Sequence, residues 1–238
     1  MFRLFFTPGW FNGVDLLFEV ISLIVAFSIS LYSYRLYRVS KENKFAYFSL
    51  ALLAITLSFL FKIVTFANLY YAPIREIAVD VLRPTVLPSL RYADLLYRAG
   101  FFLQMATMLG GLLLIFLVSQ KSRKRLTVFH EVSQIILFLY FVLLVSVFSN
   151  FEYFVFYLTS VVLLTFIVLN YYKNYLNTGR SNTLLVMTAF LVLLISQLLF
   201  IFVSLDTGVY VIAEAVQLLA FLIVLYAYMT VKRGVGRK

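Results

Sequence analysis

The chain contains no cysteine and one histidine, His130, among its 238 residues. Disulfides, thiolate nucleophiles, iron–sulfur clusters and cysteine-based zinc sites are thereby excluded. One chain cannot supply two histidines to a haem. Charge is also scarce, at 13% of residues against 63% hydrophobic, too little to cover a water-exposed surface. The four prolines, Pro8, Pro73, Pro84 and Pro88, all lie outside the apolar runs. That weighs against the broken or proline-kinked helices by which many transporters alternate access. The last apolar run holds no lysine, which removes a retinal Schiff base at the usual rhodopsin position. No phosphate-binding glycine loop, HExxH pair or serine–histidine–carboxylate set occurs. His130 and Glu131 read as an interfacial helix start, far from the acids within the apolar runs. No catalytic residue, metal ligand set or cofactor is therefore expected.

What is present is a series of apolar runs of about 20 residues, long enough to cross ~30 Å of hydrocarbon. Their limits predict a single transmembrane domain over 1–238, an all-α bundle of seven spans: 14–34, 45–68, 98–118, 132–149, 153–172, 183–205 and 209–231. The first run has no small-residue cleavage site after it and reads as a retained span. Aromatic Met1–Gly13 reads as a lead-in lying on the membrane surface. The longest connection, 70–97, repeats Ile74, Ile77 and Val81 at helical spacing, which predicts a short external amphipathic helix.

Orientation follows from where the basic residues fall. Arg35, Arg38, Lys41 and Lys44 follow the first span, and Lys121, Arg123, Lys124 and Arg125 follow the third. Lys173 and Arg180 follow the fifth, and Lys232, Arg233, Arg237 and Lys238 form the tail. The opposite side has Arg3, Arg75, Arg83, Arg91 and Arg98. The positive-inside rule then puts the N-terminus outside and the C-terminus in the cytoplasm of a cell (plasma) membrane. The net charge of +10 thus belongs to loops at the headgroups of the lipid bilayer, and no nucleic-acid partner is implied.

The helix–basic turn–helix unit Phe18–Phe66 aligns without a gap on Tyr157–Leu205, pairing Phe27 with Phe166, Leu52 with Leu191 and Phe61 with Phe200. Phe101–Val118 lies in the same way on Tyr210–Ala227. A parallel 3+1+3 repeat follows, with spans 1–3 matching 5–7 and span 4 as linker.

An ionisable group within a span costs roughly 2.5–3.5 kcal/mol at the helix centre, so each needs a reason. Glu19, Lys62 and Glu214 lie in spans 1, 2 and 7, and Gln104, Gln197 and Gln217 in spans 3, 6 and 7. At 1.5 Å rise per residue all six fall roughly 7–14 Å below the outer surface. Lys62 continues a face through Ala51, Ala54, Ser58 and Thr65, and Glu19 one through Ser22, Ala26, Ser30 and Ser33. Such small and weakly polar stripes pack helices together, which turns the charged groups inward. Gly110–Gly111 reads as a packing notch. Two readings of the cluster follow: Lys62 pairs with Glu19 or Glu214 as a clamp, or the groups form an outward pocket for a small polar ligand or ion.

The segments YSYRLYRVSKENKFAYFSLALLAITLSFLFKIVT, NTLLVMTAFLVLLISQLLFIF and YVIAEAVQLLAFLIVLYAY resemble uncharacterised seven-transmembrane-helix proteins of archaea. That resemblance implies a multipass location and no particular activity. The helix–basic turn–helix opening is also similar to seven-span sensor modules of bacterial histidine kinases. The functional expectation is a receptor- or sensor-like bundle binding a small polar ligand or ion at the outer cluster. The alternatives are a small-solute or ion transporter, which needs a continuous polar path, and a scaffold or assembly subunit with a membrane-protein partner.

Overall fold

The computed structural model describes Pro8, Trp10, Phe11 and residues 13–70, 92–120 and 153–235. Regular structure among them is helical throughout: α1 (Val14–Ser40), α2 (Asn43–Tyr70), α3 (Tyr92–Gln120), α4 (Tyr153–Thr178), α5 (Ser181–Ile201) and α6 (Gly208–Val235). A 3-10 turn, Phe202–Ser204, follows α5. All six helices are long and apolar enough to cross a bilayer, so the chain is an all-α, multi-pass membrane bundle. The span expected over 132–149, the amphipathic helix of the 70–97 loop, and His130 and Glu131 lie outside the described residues.

Several helices outrun the spans read from hydropathy. α1 continues past Tyr34 to Ser40, α4 past Tyr172 to Thr178, and α3 is already helical at Tyr92, within the stretch expected to be loop. Backbone hydrogen bonding does not stop where the hydrocarbon does, and interfacial Tyr, Asn and Arg tolerate the extra turns. The lead-in also differs from a surface-lying segment. Trp10 is exposed, but Phe11 is buried between the rings of Phe18 and Tyr210 at the end of the bundle.

Each helix packs on the next, and α6 returns to α1, closing a ring. Small polar side chains fix the helix pairs. Ser30 and Ser49 each donate to the other's carbonyl, at 2.8 and 2.9 Å, joining α1 to α2. Ser58 donates to the Gln104 carbonyl at 3.0 Å between α2 and α3, and Ser196 to the Ala213 carbonyl at 2.9 Å between α5 and α6. Gly111 is a notch for α2, because a Cβ there would stand 2.7 Å from Ile55 Cγ1 and 2.8 Å from the Ala51 carbonyl.

The α1–α2 and α4–α5 turns are built alike. Lys41 (φ 57°) and Gly179 (φ 61°) are both left-handed, and each N–H caps the preceding helix at 2.8 Å, on Tyr37 and Tyr175. Glycine reaches that conformation freely, whereas Lys41 adopts it against its Cβ.

Neighbours α3 and α4 run parallel. Tyr153, at the start of α4, meets Gln104 in the first half of α3, and Asn170 meets Ser119 further toward the C-terminal ends of both. α1 and α6 are parallel too, with Glu19 and Glu214 near their N-termini on the same lysine. One end of the bundle is therefore polar inside. The remainder is closed by Ile29, Leu52, Ile55, Leu112, Ile115, Leu164 and Ile167, all fully buried.

Candidate functional site

The polar end is assembled from all six described helices. Near the start of α1, Asp15 and Glu19 stand one turn apart on the inward face, and both are buried. Asp15 Oδ1 accepts the N–H groups of Gly13 and Leu16 at 2.8 Å, holding the first turn, while Oδ2 has no hydrogen-bond donor.

Lys62, near the end of α2, reaches both expected acids. Its Nζ lies 2.7 Å from Glu214 Oε1 and 2.6 Å from Glu19 Oε1. The sequence reading had one acid or the other as partner, whereas the lysine is shared. α1 and α6 are ring neighbours and both meet α2's end at this level, so two carboxylates converge on one ammonium. The two contacts are unequal. The one to Glu214 is an aligned hydrogen bond, whereas the one to Glu19 is a close ion pair without that alignment.

The ammonium is also ringed by aromatic faces. Phe66 lies 5.5 Å from Nζ to its centroid, and Phe200 and Tyr210 lie at 5.8 Å, within reach of cation–π attraction. The Tyr210 hydroxyl is buried without a hydrogen-bond partner.

The glutamines lie beside this triad. Gln197 Nε2 donates to Gln217 Oε1 at 3.3 Å, and Tyr153 OH donates to Gln104 Oε1 at 3.2 Å. Lys62, Gln104, Gln197, Gln217 and Ser58 line a cavity of ≈ 20 Å³, walled by Phe59, Met108, Phe156, Tyr157 and Phe200. Organic ligands occupy sites of roughly 300–1,000 Å³, so this cavity has room for a water-sized occupant only.

All six residues singled out from the sequence are thus buried at one end. Glu19, Lys62 and Glu214 are in direct contact, and Gln197 is joined to Gln217. Sequence reasoning missed Asp15, the Tyr153 and Tyr157 contributions of α4, and the aromatic ring around Lys62. Asp15 was findable, four residues before Glu19 on the same helical face. The tyrosines look like any interfacial belt until the helices are placed.

The triad has the chemistry of an ion site. With every group charged, two carboxylates and one ammonium leave one uncompensated negative charge in a buried place, and Asp15 lies a turn away. Such a site must take up a proton or a small cation, or bear the cost of unbalanced charge. Among the described residues no group of three or more His, Cys, Asp or Glu is spaced to hold a metal ion. Compared with known proteins, the chain matches no family model, no curated protein and no solved structure.

Proposed function

We propose that this is a receptor- or sensor-like bundle whose outer polar cluster binds a small ion, a proton or monovalent cation, with Glu19 as the receiving carboxylate. The observation that carries the reading is Glu19 itself, fully buried, and paired with a lysine that is aligned on Glu214. An ion that binds there draws on α1, α2 and α6 together, which is what a sensor needs in order to convert occupancy into helix movement. A transporter is less well supported, because the buried aliphatic layer from Ile29 to Ile167 interrupts a polar path among the described residues. A packing clamp is the second reading, favoured by the direct contact of both acids with Lys62.

Thermal melts of the purified protein across Na⁺, K⁺ and pH, beside Glu19→Gln, separate them. Binding stabilises with ion concentration as RT ln(1 + [L]/Kd). The binding reading expects that dependence in the wild type and its loss in Glu19→Gln. The same ion and pH response in both proteins leaves the clamp.

The architecture we propose is seven spans in a cell membrane, N-terminus outside. Parallel α3 and α4 support the seventh span: a chain leaving Gln120 must return the length of the bundle to begin again at Tyr153. The apolar run 132–149 lies between them. The basic loops support the orientation. A parallel repeat is supported by the matched turns at Lys41 and Gly179 and the matched serine bonds from Ser58 and Ser196. These correspondences shift the alignment of the first two helices by one residue from the pairing of Phe27 with Phe166. Apolar residues score alike one place apart, so only the turns and serines fix that register.

A further inference from the structure

We propose that the cavity beside Lys62 is a binding site for one water molecule, which accepts from Lys62 Nζ and donates to Gln197 Oε1. Three observations carry it. The cavity measures ≈ 20 Å³, and a single water needs at least about 10–15 Å³ on this measure together with two to four polar partners. Lys62, Ser58, Gln104, Gln197 and Gln217 line it. Gln197 Oε1 is a buried acceptor with no donor, although the residue is only 1% exposed.

Hydrogen-bond capacity selects the occupant. An ammonium has three N–H donors, and Glu19 and Glu214 occupy two directions around Lys62. The residue facing the cavity from α5 offers an acceptor: one N–H of the Gln197 amide goes to Gln217, and its Oε1 is left without a donor. A site with a donor on one side and an acceptor on the other fits a molecule that both accepts and donates. A metal cation in this cavity would meet the ammonium charge with no carboxylate in the lining, unlike one on Glu19, which disfavours it.

The consequence concerns coupling. Direct contacts leave three polar groups: Glu19–Lys62–Glu214, Gln197–Gln217 and Tyr153–Gln104. Gln217 and Glu214 share α6. A water seated among Lys62, Gln197 and Gln104 links them into one network that touches all six described helices. The site goes beyond the ion-binding reading and stands whether or not Glu19 takes an ion.

Radiolytic footprinting tests it, because hydroxyl radicals formed from a bound water oxidise adjacent buried side chains, methionine to its sulfoxide among the first. Met108 lines the cavity and Met105 does not, yet both are 4% exposed. In wild-type protein in nanodiscs, brief X-ray exposure is expected to oxidise Met108 severalfold more than Met105. Equal oxidation of the two overturns the site. In Gln197→Met, which fills the cavity and removes the acceptor, Met108 oxidation should fall to the Met105 level. Wild-type oxidation of Met108 in that variant overturns the assignment of Gln197 as the water's acceptor. Neither readout depends on ion binding by Glu19, so the two proposals fail separately.

Discussion

Lys62 Nζ hydrogen-bonds Glu214 Oε1 at 2.7 Å across 152 residues of sequence. That bond ties the end of α2 to the beginning of α6, while the neighbouring Glu19 contact supplies charge without alignment. The asymmetry gives the site a committed acid and an open one.

Removing the ammonium strands both acids. Lys62→Met is expected to cost about 3–5 kcal/mol, the scale of breaking a buried ion pair. Adding Glu214→Gln should recover part of that loss through a coupling of about 0.5–3 kcal/mol. Thermal melts in detergent measure the cycle. Strict additivity with both Glu214→Gln and Glu19→Gln contradicts the pairing.

The walls of the lysine site recognise ammonium as a class, with two carboxylates and the faces of Phe66, Phe200 and Tyr210. In Lys62→Ala, propylammonium replaces the missing atoms. It is expected to raise the melting temperature of that variant and not of the wild type. 1-Propanol, with the same chain and no charge, should not. Equal effects of the two additives sink the idea.

Adjacent glycines should behave oppositely. Among the described residues nothing lies within 4 Å of a Cβ at Gly110, so Gly110→Ala should gain up to about 1 kcal/mol from helix propensity. Gly111→Ala drives a methyl toward the backbone of α2 at Ala51 and Ile55 and should cost about 1–3 kcal/mol as overpacking. Melts of the two single variants decide it. Matching shifts contradict the α2–α3 packing.

Topology is open to reporter fusions. Fusions after Lys44, Lys124 and Lys238 are expected to report cytoplasm, and one after Glu152 the outside. Agreement between Lys124 and Glu152 removes the seventh span, and an external Lys238 reverses the orientation.

Much of the bundle was legible in the sequence because hydrocarbon enforces apolar runs of a set length, and a polar group inside such a run is conspicuous. Glu19, Lys62 and Glu214 stood out for that reason, and helical depth put them at one level. Their pairing was not legible. Which helices neighbour each other depends on small contacts such as Ser30–Ser49 and Ser58–Gln104, and serines occur throughout the runs. Asp15 shares Glu19's helical face, but its place in the first turn, where an acid ordinarily meets water, made it unremarkable. The register we propose for the repeat departs by one residue from the alignment read in the sequence, because apolar side chains are interchangeable.

The most direct test of the account compares Glu19→Gln with Glu214→Gln in the same thermal-melt series. Each substitution removes one negative charge while keeping the shape of the side chain. The account predicts that Glu214→Gln costs about 1.5–3 kcal/mol, the scale of a hydrogen bond to a charged group. Glu19→Gln should cost less than that or raise the melting temperature, because it relieves the excess charge without breaking an aligned bond. Equal losses, or a larger loss for Glu19→Gln, would contradict the division between a committed and an open carboxylate.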